Sequence, residues 1–174
     1  MELWDAYDAA FTKIEGLTLV RGEAIPAGVY HLSCDVLVKH IDGTYLLMKR
    51  DFRKRFGGMW EATAGGSALA GENPRQCAVR ELAEETGIIA SELVELGTHI
   101  SHETIYVEFL CVTDWDKEKV TTQEGETIAF QWVSGDELRS MKRDELITER
   151  MQKFVKELNS EIADAEKKGD ISHM

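Results

Sequence analysis

Glu81, Glu84 and Glu85 stand at i, i+3 and i+4 in the run Gly66-Ser-Ala-Leu-Ala-Gly-Glu72-Asn-Pro-Arg-Gln-Cys-Ala-Val-Arg80-Glu81-Leu82-Ala-Glu84-Glu85-Thr-Gly87-Ile88. On a helix that spacing places the three carboxylates on one face. Like charges so placed repel by a few tenths of a kcal/mol per exposed pair, so they contribute nothing to helix stability. Three glutamates alone more often describe a solvated acidic face. They are also the donor set that a hard, oxygen-seeking cation such as Mg²⁺ requires. Such a cation binds phosphate oxygens as well, which points to phosphate chemistry. Arg80 is placed to pair with Glu72 and fix the loop against the helix. Gly66, lacking a Cβ, would let the backbone come close to a bound ion.

The whole chain poses the same problem that a cation would solve. It has 174 residues, 32 acidic against 20 basic, and a formal net charge of −12. A surface of that sign excludes a nucleic-acid polymer or an anionic membrane as the main partner. An acidic protein acting on an anionic small molecule needs a mediating cation. Apolar residues at 43% and charged residues at 30% fit a folded domain, and the length suits a single domain over 1–174. Cys34, Cys77 and Cys111 are scattered and odd in number, as reduced thiols in a cytoplasmic protein would be. The N-terminus carries early acids without a basic signal-peptide region, and no apolar run reaches the roughly 20 residues of a membrane span.

The elements that must position these residues read as strands, one central helix, further strands and terminal helices. Leu17 to Gly22 reads as a first edge strand. Val29 to Lys39 and Tyr45 to Lys49 flank Asp42-Gly43, a tight-turn signal, and so predict a hairpin. A short strand follows at Trp60 to Thr63. Asn73 as N-cap, Pro74 at the first turn and Gly87 as terminator predict a helix over Pro74 to Thr86, with Val79, Leu82 and Thr86 as its inner face. Strands resume at Leu93 to Ile100, Thr104 to Thr113 and Ile128 to Val133. Ser134 caps a short helix through Asp136-Glu137-Leu138. A longer amphipathic helix is expected from Thr148 to Lys167, with Met151, Phe154, Val155 and Leu158 on one face, and a frayed tail from Gly169. That order implies an α/β fold with helices packed on a mixed sheet.

Nine positions of the run from 66 to 88 match a known pattern: Gly, five residues, Glu, seven residues, Arg-Glu, apolar, any, Glu-Glu, any, Gly, apolar. The chance of all nine arising from average composition in a chain this long is on the order of one in ten million. The segment therefore resembles the Nudix box. Softer likenesses extend over residues 4 to 140: Trp4-Asp5, Tyr7-Asp8, Arg21-Gly22, Gly28 to His31, Leu46 to Arg50, Gly58-Met-Trp60, Thr63 to Gly66, and Glu126 six residues before Trp132. In these the chain is similar to the Nudix hydrolases that resemble isopentenyl-diphosphate isomerase.

The resemblance implies an α/β/α sandwich with a mixed sheet between helices. It implies a pyrophosphohydrolase that cleaves a phosphoanhydride bond with Mg²⁺ or Mn²⁺. Glu81, Glu84, Glu85 and the Gly66 carbonyl would be metal ligands, with Glu72, Arg80 and Gly87 supporting the box. Glu81 and Glu85 would serve catalysis, and Glu126, ahead of Glu124 and Glu103, is the first candidate for a general base outside the box. Lys49, Arg50, Arg53, Lys54 and Arg55 gather five of the twenty basic residues in seven positions. Arg50, Arg53 and Lys54 are candidate phosphate contacts, as arginine forks can be, although a solvated loop is an equal description. Trp60 is a candidate for stacking on a substrate ring, against a core role. His31 reads as a bonded strand histidine. The implied partner is a small diphosphate-containing molecule, a nucleoside di- or triphosphate for preference, and a homodimer is compatible with the C-terminal helix. Two other readings follow from the same resemblance. An isomerase would need a cysteine where this chain has Glu61-Ala-Thr63-Ala64-Gly65-Gly66. A non-catalytic ligand sensor would usually show an eroded box beside a DNA-binding module.

Overall fold

The structure, a computed structural model, describes residues 1–90, 92–147 and 150–157. Its centre is β3 (His31–His40), a strand buried along most of its length. Cys34, Val36 and Val38 feed one core cluster, while Leu37 feeds another on the opposite face of the sheet. Burial on both faces is what a strand flanked by a parallel neighbour requires. That neighbour is β8 (Thr104–Thr113), in register from His31↔Thr104 to His40↔Thr113. β7 (Leu93–Ser101) pairs antiparallel outside β8 and forms the sheet edge among the described residues.

On its other side β3 meets two strands. β6 (Thr63–Ser67) pairs with it from Ser33↔Ser67 to Leu37↔Thr63. β4 (Tyr45–Arg50) touches it only at Lys39↔Tyr45. The predicted hairpin is thus real at its turn, where Gly43 takes φ 90°, but its strands splay at once. β4 spends its length pairing with β9 (Thr127–Val133) and, at its end, with β5 (Trp60–Glu61). The single strand expected at Trp60 to Thr63 is divided between β5 and β6, which lie against different partners.

α1 (Pro74–Thr86) forms as its punctuation predicts. Asn73 accepts from the Gln76 amide, Gln76 returns a bond to Asn73, and Gly87 closes the helix in the left-handed region at φ 75°. Its inner face differs from expectation in one place. Leu82 and Thr86 are buried, but Val79 is 37% exposed and its place is taken by Cys77 and Ala78. Val79 lies one step around the helix from the Ala78–Leu82–Thr86 row, on the solvent side. The corollary matters for chemistry: Glu81 (13% exposed) lies along the sheet-facing side, while Glu84 (47%) faces out. Leu82 is fully buried between α1 and the sheet. Leu82→Ala should therefore cost about 2–5 kcal/mol in a urea titration, and a loss near zero would mean that the helix is not packed there.

The opposite face of the sheet is covered by α2 (Gly135–Ser140), capped by Ser134 and Glu137, and by the helical residues 150–157. Leu138, Met151 and Val155 are buried there against Leu37, Tyr45 and Leu47, with Phe154 packed beside them. With α1 on one side and these helices on the other, the fold is an α/β/α sandwich around a mixed seven-stranded sheet. The rest of the helix expected at Thr148 to Lys167, including Leu158, and the tail from Gly169 lie outside the described residues.

One element is absent from the sequence reading. β1 (Leu3–Tyr7) pairs antiparallel with β2 (Lys13–Val20) in a separate two-stranded sheet. Leu17 to Val20 is therefore the second strand of a hairpin, and Arg21-Gly22 belongs to the turn after it. Trp4, Ala6 and Leu19 make a third small core beneath it. No helix among the described residues is long and apolar enough to cross a membrane.

Candidate active site

β6 runs beside β3 and delivers Gly65 and Gly66 to the foot of α1. Gly65 demands glycine by close approach to backbone, whereas at Gly66 the near atoms are the end of the flexible Glu81 side chain. A Cβ on Gly65 would lie 2.2 Å from the Cys34 carbonyl oxygen, and one on Gly66 would lie 2.6 Å from the Glu81 carboxylate. The Gly65 amide donates to Glu85 Oε2 (3.2 Å), and the Gly66 carbonyl accepts from Ser33 Oγ (3.0 Å) and Cys77 Sγ (3.4 Å). The close approach of loop and helix thus brings Gly66, Glu81 and Glu85 together.

Arg80 is the clamp of this arrangement. Its Nε and Nη2 donate to the two Glu72 oxygens at 2.8 and 2.9 Å, and Nη2 also reaches the Ser67 carbonyl at 3.0 Å. Nη1 donates to Glu81 (2.6 Å) and Glu84 (3.2 Å). Hydrogen bonding to Arg80 holds the Glu72 carboxyl below the usual carboxylate range. Glu81 is raised, chiefly by burial, with Arg80 opposing. Glu85 is raised well above its ordinary value, first by burial and then by the charges of Glu61 and Glu81. Crowded, half-buried carboxylates of this kind are costly unless a cation faces them.

These groups line a cavity of about 450 Å³. Gly66, Arg80, Glu81, Glu84 and Glu85 form one side, and Arg50, Lys54 and Glu126 also line it. Arg50 is held by Glu61 (2.6 Å) and by the Arg55 carbonyl (3.2 Å). Lys54 pairs with Glu126 at 2.5 Å. Two expected contacts are not brought in. Arg53 turns outward in a fork with Asp51, its side chain 71% exposed. Trp60 packs against the core on the other face, with Lys49 over its ring. The physical reason is the alternation along β5, which turns Trp60 onto that core while its neighbour Glu61 bonds Arg50. Glu124 and Glu103 are exposed and do not line the cavity.

Other residues at or beside the cavity had no local sequence signal as site residues. Glu61, which does not line it, is raised by burial, with Arg50 opposing, and its charge is felt by Glu85. Glu2 and Arg21 reach the cavity from the N-terminal hairpin. His31 lies in the wall, stacked on Trp4 at 4.3 Å and bonded to Thr104 Oγ1 at 2.7 Å. Burial lowers its pKa, which favours the neutral ring. None of the three cysteines lines the cavity; all are buried free thiols, and burial pushes Cys111 up to about 11.

A second cavity, of about 590 Å³, is lined by Asp35, Glu61, Thr63, His99, Tyr106 and Arg150 among others. Tyr106 borders both cavities, and in the second it stacks on His99 with centroids 5.0 Å apart. Asp35 faces Arg150 there at 2.5 Å, and burial pushes its carboxyl up to about 6 despite that partner.

As the side chains stand, no three acidic, histidine or cysteine residues among those described are gathered into a metal cage. Glu81 and Glu84 are instead both turned onto Arg80. The donor set nevertheless fits a hard divalent cation: carboxylate oxygens and a backbone carbonyl, with a glycine where a Cβ would fill the space beside Glu81.

Residues 29–158 match the NUDIX domain. An uncharacterised Nudix hydrolase of Listeria monocytogenes is 30% identical over 147 residues, which are 82% of this chain and 85% of that protein. An 8-oxo-dGTP diphosphatase of Proteus vulgaris is 30% identical over 55% of this chain and 85% of its own length. A CTP pyrophosphohydrolase of Escherichia coli is 35% identical over 55% and 70%. A crystal structure from Deinococcus radiodurans shares the fold with a TM-score of 0.70 at 14% identity, covering 90% of this chain and 98% of that one. The box, the sandwich that presents it and these similarities agree, and the chain belongs to the Nudix family.

Proposed function

We propose that this chain is a divalent-metal-dependent pyrophosphohydrolase of nucleoside di- or triphosphates. The observation that carries the reading is one cavity in which Gly66, Glu81, Glu84 and Glu85 share space with the cations Arg50 and Lys54. Glu81, Glu84, Glu85 and the Gly66 carbonyl would hold Mg²⁺ or Mn²⁺. When bound, such an ion lowers the pKa of water and neutralises charge growing on phosphoryl oxygens.

The chain's own residues supply the rest. Arg50 and Lys54 bind and orient the phosphate chain. Glu126, held by Lys54, accepts the proton of the attacking water. The water oxygen bonds to phosphorus, the phosphoanhydride P–O bond breaks, and phosphate, pyrophosphate or a nucleoside monophosphate leaves. Names of relatives support a nucleotide substrate: one is an 8-oxo-dGTP diphosphatase, another a CTP pyrophosphohydrolase. The second cavity supports it too, since the His99–Tyr106 stack and the Asp35–Arg150 pair offer a ring both a face and hydrogen bonds. The relatives named above bear no isomerase name, and the cavity has no cysteine for the proton transfer an isomerase would need.

The test is phosphate and monophosphate release from nucleotides, sugar nucleotides and prenyl diphosphates, with and without Mg²⁺ or Mn²⁺. Metal-dependent turnover concentrated on nucleotides is expected. Turnover confined to prenyl diphosphates would replace the substrate class, and silence across the panel would leave a ligand-binding domain. Within the same assay Arg50→Ala should raise KM about tenfold or more, because a charge-assisted phosphate contact is lost. An unchanged KM would remove Arg50 from the substrate site.

A further inference from the structure

Residues 1–28 precede the part of the chain that matches the family, yet they build part of the cavity wall. The β1–β2 hairpin is fastened to the box loop. The Ala70 amide donates to the Leu3 carbonyl (2.8 Å), and the Gly71 amide donates to Asp5 Oδ2 (2.9 Å). Trp4 stacks on His31, and Tyr7 and Tyr30 exchange two backbone bonds of 2.9 Å. These contacts fix where β2 ends, and Arg21 follows immediately.

Arg21 reaches the cavity with its side chain 60% exposed, against 24% for Arg50, 28% for Lys54 and 23% for Arg80. Its Nη1 donates to Glu2 Oε2 (2.7 Å), from the same hairpin. The other Glu2 oxygen accepts from Trp4 Nε1 (2.8 Å). Arg21 lines the same cavity as Glu81 and Glu126.

We propose that Arg21 binds a phosphate of the substrate's oligophosphate chain, and that Glu2 is an internal surrogate for that phosphate, displaced from Arg21 when substrate enters. This inference rests on the phosphate-binding reading of the cavity given above. A guanidinium presents a planar fork that suits phosphate oxygens as well as a carboxylate. Glu2 can release Arg21 without being stranded, because Trp4 still donates to its other oxygen. A surrogate competes with substrate, so removing the surrogate and removing the arginine have opposite effects on affinity. A pair that merely braces the hairpin would weaken binding whichever partner is removed.

The experiment is calorimetric binding of imidodiphosphate, a hydrolysis-resistant phosphate chain without a base, to the full chain in the presence of Mg²⁺. Arg21→Ala should weaken binding about tenfold or more. Arg21→Lys should recover part of that loss, and Glu2→Gln should bind more tightly than the wild type. Thermal unfolding of each variant reports the fold, and if Arg21→Ala is unfolded the other two still decide. Unchanged affinity in the Arg21 variants, or affinity in Glu2→Gln that is unchanged or weakened, overturns the proposal and leaves the phosphate site intact. A wild-type protein that does not bind imidodiphosphate overturns the phosphate-site reading, and this inference with it.

Discussion

Glu85→Gln is expected to lower turnover by about a hundredfold or more while leaving the metal-free protein as stable as the wild type, or more so. The two halves have one cause. Glu85 is half-buried beside Glu61 and Glu81, and among the described residues its backbone support is the Gly65 amide at 3.2 Å. In the proposed role its charge holds the cation, and several kcal/mol of transition-state stabilisation depend on it, each 1.36 kcal/mol being tenfold in rate. In the metal-free protein the same charge is a burden, because burial and like charges raise the pKa above the ordinary 4.5. A carboxyl raised on folding binds more protons folded than unfolded, so its contribution to stability falls as pH rises above 4.5 toward the folded value. The stability of Glu85→Gln relative to wild type should therefore increase from about pH 4.5 upward. Equal turnover in the variant would remove Glu85 from the catalytic set. A variant that loses stability as pH rises would show that the carboxylate is satisfied by the protein itself.

Arg80→Ala is expected to cost about 3 kcal/mol of stability and to abolish most of the activity. One guanidinium bonds Glu72 twice, Glu81, Glu84 and the Ser67 carbonyl. Removing it leaves Glu72 and Glu81, both less than one-fifth exposed, without their cation. It also frees the loop that carries Gly66 and Ser67. Arg80→Lys should recover only part, since an ammonium cannot make the fork to Glu72 and reach Glu81 together. Urea titration and steady-state kinetics on the same preparations check both halves. A lysine variant indistinguishable from wild type would mean that charge alone, without geometry, holds the loop.

What was legible in the sequence was what is local. The ends of α1 are written in Asn73, Gln76 and Gly87, and the spacing of Glu81, Glu84 and Glu85 follows once the helix is placed. The Glu72–Arg80 pair is only eight positions apart, so it too could be read. Residues set by long-range pairing could not. Whether Trp60 or Glu61 packs on the core depends on β5 lying against β4, and the splayed β3–β4 turn depends on β6 taking β3's edge. Arg53 is adjacent to Lys54 in sequence, but Asp51 draws it outward while Glu126 draws Lys54 in. Arg21 and Glu2 enter through a hairpin docked on the Leu69 to Gly71 turn, by contacts such as Asp5 to Gly71 that join residues 66 positions apart. Alternation in Leu3 to Tyr7, with Trp4 and Ala6 buried, was the available sign of β1.

The most direct test of the central claim is hydrolysis of a turned-over nucleoside triphosphate in water enriched in ¹⁸O, with product phosphates read by mass spectrometry. The account predicts one ¹⁸O per turnover in a phosphate-bearing product, formed with Mg²⁺ or Mn²⁺ and lost on chelation. Turnover that continues unchanged after chelation, or products without solvent oxygen at phosphorus, would contradict it.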